Sequence, residues 1–284
     1  MLAKILVPVR GDGMAETVMR HAATLARRHT AHVVVAHCRA KPDEMMPYST
    51  LLPAFARDTI LSQAVELADQ EEEALREALH QTALTLDLHE TDVPDGSRAT
   101  VTFIEEFGRM GDIVKHHGRL ADLIVAAKPN RDRNLGTNAL KTALFQTGRP
   151  VLMCPPGETV AADFGRHVAV GWNGSLEAGR TVGLTTDLIT AAERVTILSA
   201  GSGEPHGATA EELAEYYRLR GIATEIERFE ARKPGAALLE KTAAVGASLL
   251  VMGAYGHSHE RETLFGGNTQ TVVDEAEIPV VMAH

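Results

Sequence analysis

Gly253, Gly256, Gly266 and Gly267 fall in one stretch: Gly-Ala-Tyr-Gly, nine residues, then Gly-Gly-Asn-Thr. The apolar run just before it, within Ala247–Gly253, has the length of a buried strand, and a helical pattern follows to about Ala276. Glycines in such a place let main-chain N–H groups approach a phosphate with no Cβ in the way. A helix opening near Gly267 aims its unpaired N–H groups at the same point, and Asn268 and Thr269 add side-chain donors. The chemistry this predicts is phosphate binding. The spacing is neither a Walker A loop, since no Gly-Lys-Ser/Thr occurs, nor the dinucleotide pattern Gly-x-Gly-x-x-Gly.

A second stretch, Gly171-Trp172-Asn173-Gly174-Ser175, closes another strand. Asn173 has two readings. Its amide suits a ribose hydroxyl, a base or a metal-bound water, and it equally suits a turn in which Ser175 caps the next helix. His257, His259 and Glu260, in the glycine-rich loop, carry donors that zinc would accept. Short patterns of this kind are more often solvated loop residues, and no metal site is assigned. His116 and His117 are adjacent, so a helix would point them to different faces. Glu71–Glu73 and Glu105–Glu106 read as charge runs on solvated helices, and Tyr216–Tyr217 as a partly buried helix face. No spacing supports a Ser-His-Asp, Cys-His or paired-carboxylate centre, so no catalytic residue is assigned.

The elements that must carry these residues occur twice. Ile5–Val9, a helix over about 14–28 and Ala31–His37 match Val168–Trp172, a helix over about 176–192 and Val195–Ser199. Ala121–Ala127 matches Ala247–Gly253, and Arg149–Met153 matches Ile278–Met282. Third strands are expected near Ala99–Ile104 and Ala223–Phe229. The offset is 163 residues at the first strands and 126 at the fourth, so the first half holds about 37 extra residues. These lie between about Arg39 and Asp69 as a loop, made apolar by Met45, Met46, Leu51, Leu52 and Phe55, feeding a long helix to about Thr85. Thr209 and Glu212 form a capping box for the corresponding helix of the second half. Strands alternating with helices call for an open parallel sheet covered on both faces, once in residues 1–155 and again in 165–284.

With these residues in view, the chain resembles the universal stress protein family in its tandem two-domain form, over nearly its whole length. The resemblance implies an α/β fold of two five-stranded parallel sheets, strand order 3-2-1-4-5, with the fifth strands at the domain contact. Members that bind ATP carry Gly-x2-Gly-x9-Gly-Ser/Thr, which Gly253, Gly256 and Gly266 match. Gly267 replaces the hydroxyl residue, and a lost hydrogen bond to a charged group costs roughly 1.5–3 kcal/mol. Asn173 stands where such members usually have Asp. The first half has Ala127 and Asn130 in place of Gly253 and Gly256, with Arg10 at the strand-one position. The resemblance therefore implies a stress-response protein that binds ATP, with or without magnesium, through its second domain. The site residues would be Asn173, Gly253, Gly256, Gly266, Gly267, Asn268 and Thr269. Hydrolysis would be slow at most, as no general base or Walker lysine is evident. The alternative is a scaffold or carrier of a small hydrophobic ligand.

Composition narrows the classes. A net charge of −10 disfavours general nucleic-acid binding. No stretch approaches the ~18 apolar residues of a membrane span. Two cysteines without motif spacing fit a reducing cytoplasm. An intramolecular domain pair is expected, and homodimerisation stays open.

Overall fold

A computed structural model of the chain describes residues 1–9, 13–39, 54–130, 136–200, 207–256 and 267–284. The first half runs β1 (Lys4–Val9), α1 (Ala15–His29), β2 (His32–Arg39), α2 (Ala54–Thr85), β3 (His89–Glu90), β4 (Thr100–Phe107), α3 (Met110–Gly118), β5 (Leu123–Ala127), α4 (Thr137–Gln146) and β6 (Val151–Cys154). The second runs β7 (His167–Trp172), α5 (Leu176–Leu184), α6 (Thr186–Thr190), β8 (Arg194–Ala200), α7 (Ala210–Arg218), β9 (Thr224–Phe229), α8 (Pro234–Ala244), β10 (Leu249–Gly253), α9 (Gly267–Glu275) and β11 (Val280–Ala283).

The expected order 3-2-1-4-5 is present in both halves, as β4-β2-β1-β5-β6 and β9-β8-β7-β10-β11. The two sheets are not merely packed together. β6 and β11 pair antiparallel, Leu152 opposite Val281, and make one sheet of eleven strands. The extra strand is β3, two residues long, paired parallel to β4 at one edge. Both faces of the sheet are covered, which is why the central strands are apolar throughout. Side chains alternate between faces with period two. Ile5, Val7 and Val9 meet α1 and α2, whereas Leu6 meets the layer of α3 and α4.

The inserted helix α2 is 32 residues long and ends at Thr85, as expected, but it begins at Ala54, so the part of the insertion from there to Asp69 is helix and not loop. The apolar segment before it, with Met45, Met46, Leu51 and Leu52, lies outside the described residues, as does the side chain of Phe55. The helix expected over about 176–192 is broken at Thr185 into α5 and α6. Thr181, Thr185, Thr186 and Thr190 each donate their hydroxyl to a carbonyl four residues back, and such back-bonding bends helices. Glu105–Glu106 corrects another expectation. They lie on strand β4, not on a helix, and are paired: Glu105 with Arg76, and Glu106 with His117 at 2.6 Å. The periodicity of Thr-Val-Thr-Phe-Ile is that of a strand, and pairing with β2 as far as Arg39↔Phe107 carries it through the two glutamates.

Further contacts join the halves. The segment between them is pinned to α1: Phe164 is fully buried, packs edge-on to the His21 ring at 5.1 Å, and accepts a hydrogen bond from Arg28. Lys128, after β5, donates Nζ to the Ala276 carbonyl beyond α9. Phe145 of α4 lies 5.1 Å from the Tyr255 ring, after β10, and 4.8 Å from His284.

Candidate functional site

In the second half the strand order reverses between β7 and β10, which lie side by side with β8 beyond β7 and β11 beyond β10. Their connections leave in opposite directions, so a crevice opens beyond the carboxyl ends. A recess of about 100 Å³ lies there. Leu198, Phe229, Leu238 and Met252 give it apolar walls, and Gly171 keeps its floor open. A Cβ on Gly171 would meet Leu238 at 3.0 Å. The polar rim holds Asn173, Gly253, Gly235 and Asn268. Pockets for whole drug-sized ligands run to ~300–1,000 Å³, so the recess accommodates one end of a ligand, with the rest over the rim.

Of the residues named from sequence, Asn173, Gly253 and Asn268 are brought together at this recess. Asn173 is exposed, and its Oδ1 accepts the Ser175 N–H at 3.1 Å, while Ser175 Oγ accepts the Ala178 N–H and caps α5. The turn-and-cap geometry is therefore present, on the rim of the recess. Asn268 Oδ1 accepts the Gly235 N–H at 3.3 Å and ties the first turns of α8 and α9 together. Thr269 is buried, and its hydroxyl accepts the Tyr255 N–H at 3.0 Å, so it serves the backbone after β10. Gly267 opens α9 and is exposed. Gly256 follows Tyr255, whose backbone takes the left-handed φ of 58°. Gly266 lies outside the described residues, as do His257, His259, Glu260 and Arg10.

The glycines have a structural duty that sequence reasoning missed. A Cβ on Gly253 would stand 2.5 Å from the Ala178 nitrogen and 2.7 Å from the Glu177 carbonyl carbon. The first turn of α5 thus rests directly on the end of β10. A Cβ on Gly256 would stand 2.5 Å from Glu177 Oε2, so a carboxylate borders the glycine-rich loop. Also missed were the apolar walls. They come from the carboxyl ends of β8, β9 and β10 and from α8, and the one clue in the sequence was Pro234-Gly235 opening a helix after a strand.

At the matching place in the first half the space is divided, and about 30 Å³ lies beside Pro8, Met110 and Ala127. Pro8 stands where Gly171 stands in the second half, and fully buried Met110 opens α3 where Pro234 opens α8. Further out, a polar depression of about 510 Å³ is lined by Cys38, Arg109, Lys115 and Gln146.

The sequence model of the universal stress protein family matches residues 1–127 and 167–284. The chain belongs to this family. The match in two segments fits the tandem form of a universal stress protein. Among solved structures, a universal stress protein from Archaeoglobus fulgidus is similar over 99% of this chain and 97% of its own, at 14% identity and a TM-score of 0.72. A functionally unknown protein from Pseudomonas aeruginosa PAO1 is similar over 99% and 92%, at 15% identity and a TM-score of 0.54. At such identities the likeness is one of fold. A universal stress protein solved in complex with cAMP is 26% identical over 42% of this chain and 96% of its own, with a TM-score of 0.36. None of the curated proteins compared with the chain matches it in sequence. Among the described residues of this universal stress protein, no helix is long and apolar enough to cross a membrane.

Proposed function

We propose that the second half binds an adenine nucleotide, ATP with magnesium, and that occupancy makes the chain a nucleotide-dependent regulator in the cytoplasm. The observation that carries this reading is the recess at the β7–β10 switch point. Its apolar walls suit a base. Its polar rim, with Asn173 and Asn268, suits a sugar, and the main-chain N–H groups around Gly253, Gly256, Gly266 and the start of α9 suit phosphates. Magnesium would offset the repulsion between a triphosphate on this loop and the Glu177 carboxylate beside Gly256. No nucleotide site is assigned to the first half, where Pro8 and Met110 separate a space of about 30 Å³ from a polar depression lined by Cys38, Arg109 and Lys115.

Titration calorimetry on the full chain tests this. One ATP site per chain is expected. Ala200→Phe, which places a ring in the recess from the end of β8, removes it while the far-ultraviolet spectrum is unchanged. Met110→Ala in the first half leaves it intact. Absence of heat at millimolar ATP and magnesium sinks the proposal and favours the scaffold or hydrophobic-ligand carrier.

A further inference from the structure

The inserted helix α2 does not simply lie over the sheet with a solvated face. Glu72, expected to be solvated, points inward and is largely withdrawn from solvent. Its Oε2 lies 2.8 Å from Nδ1 of His37, near the end of β2. The same oxygen is buried and receives no properly directed hydrogen bond. A ring nitrogen and a carboxylate oxygen are thus in close contact without a proton aimed between them. Glu105 of β4 completes the group, and one donor atom from each of the three residues falls within 4.8 Å of the others.

They face a cavity of about 220 Å³ with His80, Glu90 and Arg76. Three carboxylates and one guanidinium line it, which leaves an excess of two negative charges. His80 Nδ1 is 2.8 Å from Glu90 Oε2, a second imidazole–carboxylate pair on the same wall. Arg76 bonds Oε2 of Glu105 at 2.7 Å, whereas Oε1, among the described residues, faces Arg39 at 3.5 Å. One oxygen of Glu105 is therefore weakly held.

We propose that His37, Glu72 and Glu105 bind a divalent transition-metal cation, and that this cation clasps α2 to the sheet. One imidazole and two carboxylates form a mixed nitrogen–oxygen set that suits zinc or cobalt better than magnesium or calcium, which prefer all-oxygen sites. Bonds of ~2.0–2.2 Å in a tetrahedral site bring donors to about 3.3–3.6 Å apart. Rotation of Glu105, whose side chain keeps 26% exposure, closes its spacing to the other two, while the His37–Glu72 pair, now 2.8 Å apart, opens by roughly 0.5–0.8 Å to admit the cation. Solvent or a fourth side chain from the cavity wall completes the shell. The ligands come from β2, α2 and β4, so the cation couples the order of the insertion to its occupancy. The proposal concerns the first half alone and stands or falls independently of nucleotide binding in the second.

The test uses cobalt as a spectroscopic probe, with zinc as competitor, on the full chain after treatment with a chelator. One cobalt per chain with visible absorption, displaced by zinc, is expected. Zinc should also slow amide exchange across residues 65–80 of α2. His37→Ala and Glu72→Gln should each weaken binding roughly 100-fold, the upper end of what losing an outer-sphere partner alone costs. Glu72→Gln keeps the shape of the helix and covers the case in which His37→Ala fails to fold. The double change His257→Ala, His259→Ala should leave the signal intact. Absence of cobalt binding at millimolar metal overturns the proposal. So does binding that follows His257 and His259 rather than His37 and Glu72.

Discussion

Adding one methyl group at Gly253 or at Gly256 should have very different results, although both glycines belong to one motif. At Gly253 the new Cβ would lie 2.5 Å from the Ala178 nitrogen, 2.7 Å from the Glu177 carbonyl carbon and 2.9 Å from the Ala178 Cα. Ordinary carbon contacts begin near ~3.5 Å, and all three atoms are backbone. They belong to the first turn of α5, which the Ser175 cap holds in place. No side chain can swing away, so α5 or β10 must shift. Overpacking of this kind costs about 1–3 kcal/mol, which at ~2–4 °C per kcal/mol lowers Tm by roughly 2–12 °C. At Gly256 the atom met is Glu177 Oε2, the far end of a flexible side chain. Its movement costs little, and the stiffer unfolded chain returns ~0.4–1 kcal/mol. Gly256→Ala should therefore not lower Tm, and should raise it by about 4 °C at most. Differential scanning calorimetry of the two variants decides the matter, and ATP titration of the same samples adds the function. Lost binding in Gly256→Ala with no loss of Tm assigns that glycine to the ligand. Equal destabilisation at the two positions, or a silent Gly253→Ala, would refute the packing argument.

The remaining predictions concern acid stability and the contact between halves. Burial holds His21 below its ordinary value of 6.5, and His29, His32 and His167 shift the same way for the same reason. The unfolded chain therefore binds more protons just below pH 6.5, so stability is full above that value and falls as pH drops through the window beneath it. His21→Gln should flatten this slope in urea melts taken between pH 7 and 5, and an unchanged slope would remove His21 from the account. Phe145→Ala should lower stability by roughly 1 kcal/mol through its lost aromatic contacts and should also change ATP affinity, because Tyr255 belongs to the glycine-rich loop. Lys128→Met should cost roughly 1.5–3 kcal/mol for the charged hydrogen bond to the Ala276 carbonyl without changing affinity. Equal effects of the two on ATP titration would break that distinction.

The strands were legible because each is a short apolar run and the alternation of strand and helix occurs twice along the chain, whereas their order in the sheet came from the family resemblance. The capping box at Thr209 and Glu212 was legible for a local reason, since both partners lie within one turn. What escaped the sequence depends on contacts between distant elements. The break at Thr185 arises from four threonine hydroxyls competing for helix carbonyls, none of which is a helix breaker by type. Glu105 and Glu106 looked like a helical charge run because charged pairs are rare on strands. Here β4 lies under α2 and beside α3, which supply Arg76 and His117. The grouping of His37, Glu72 and Glu105 draws on three elements and has no spacing that a motif could encode. For the recess, sequence supplied the rim and missed the walls, because Leu198, Phe229, Leu238 and Met252 are individually ordinary core residues.

The antiparallel join of β6 and β11 has a consequence for how the halves could communicate. Every strand of one half runs opposite to every strand of the other. The carboxyl edges, where ligands of open α/β sheets bind, therefore face opposite ways, and neither site can touch the other's ligand directly. The same reversal places the end of each half's last helix beside the switch loop of its neighbour. Phe145, in the last turn of α4, meets Tyr255 after β10; Ala276, just beyond α9, receives Lys128 after β5. These two contacts are equivalent under the pseudo-twofold relation but chemically unlike. One is a ring pair beside a backbone held at positive φ, and the other is an ammonium fixed on a helix-end carbonyl, where its charge also suits the helix dipole. Lys128 is thus fixed by a charged hydrogen bond, whereas Tyr255 meets a half-exposed ring and is held through its own N–H by the Thr269 hydroxyl at 3.0 Å.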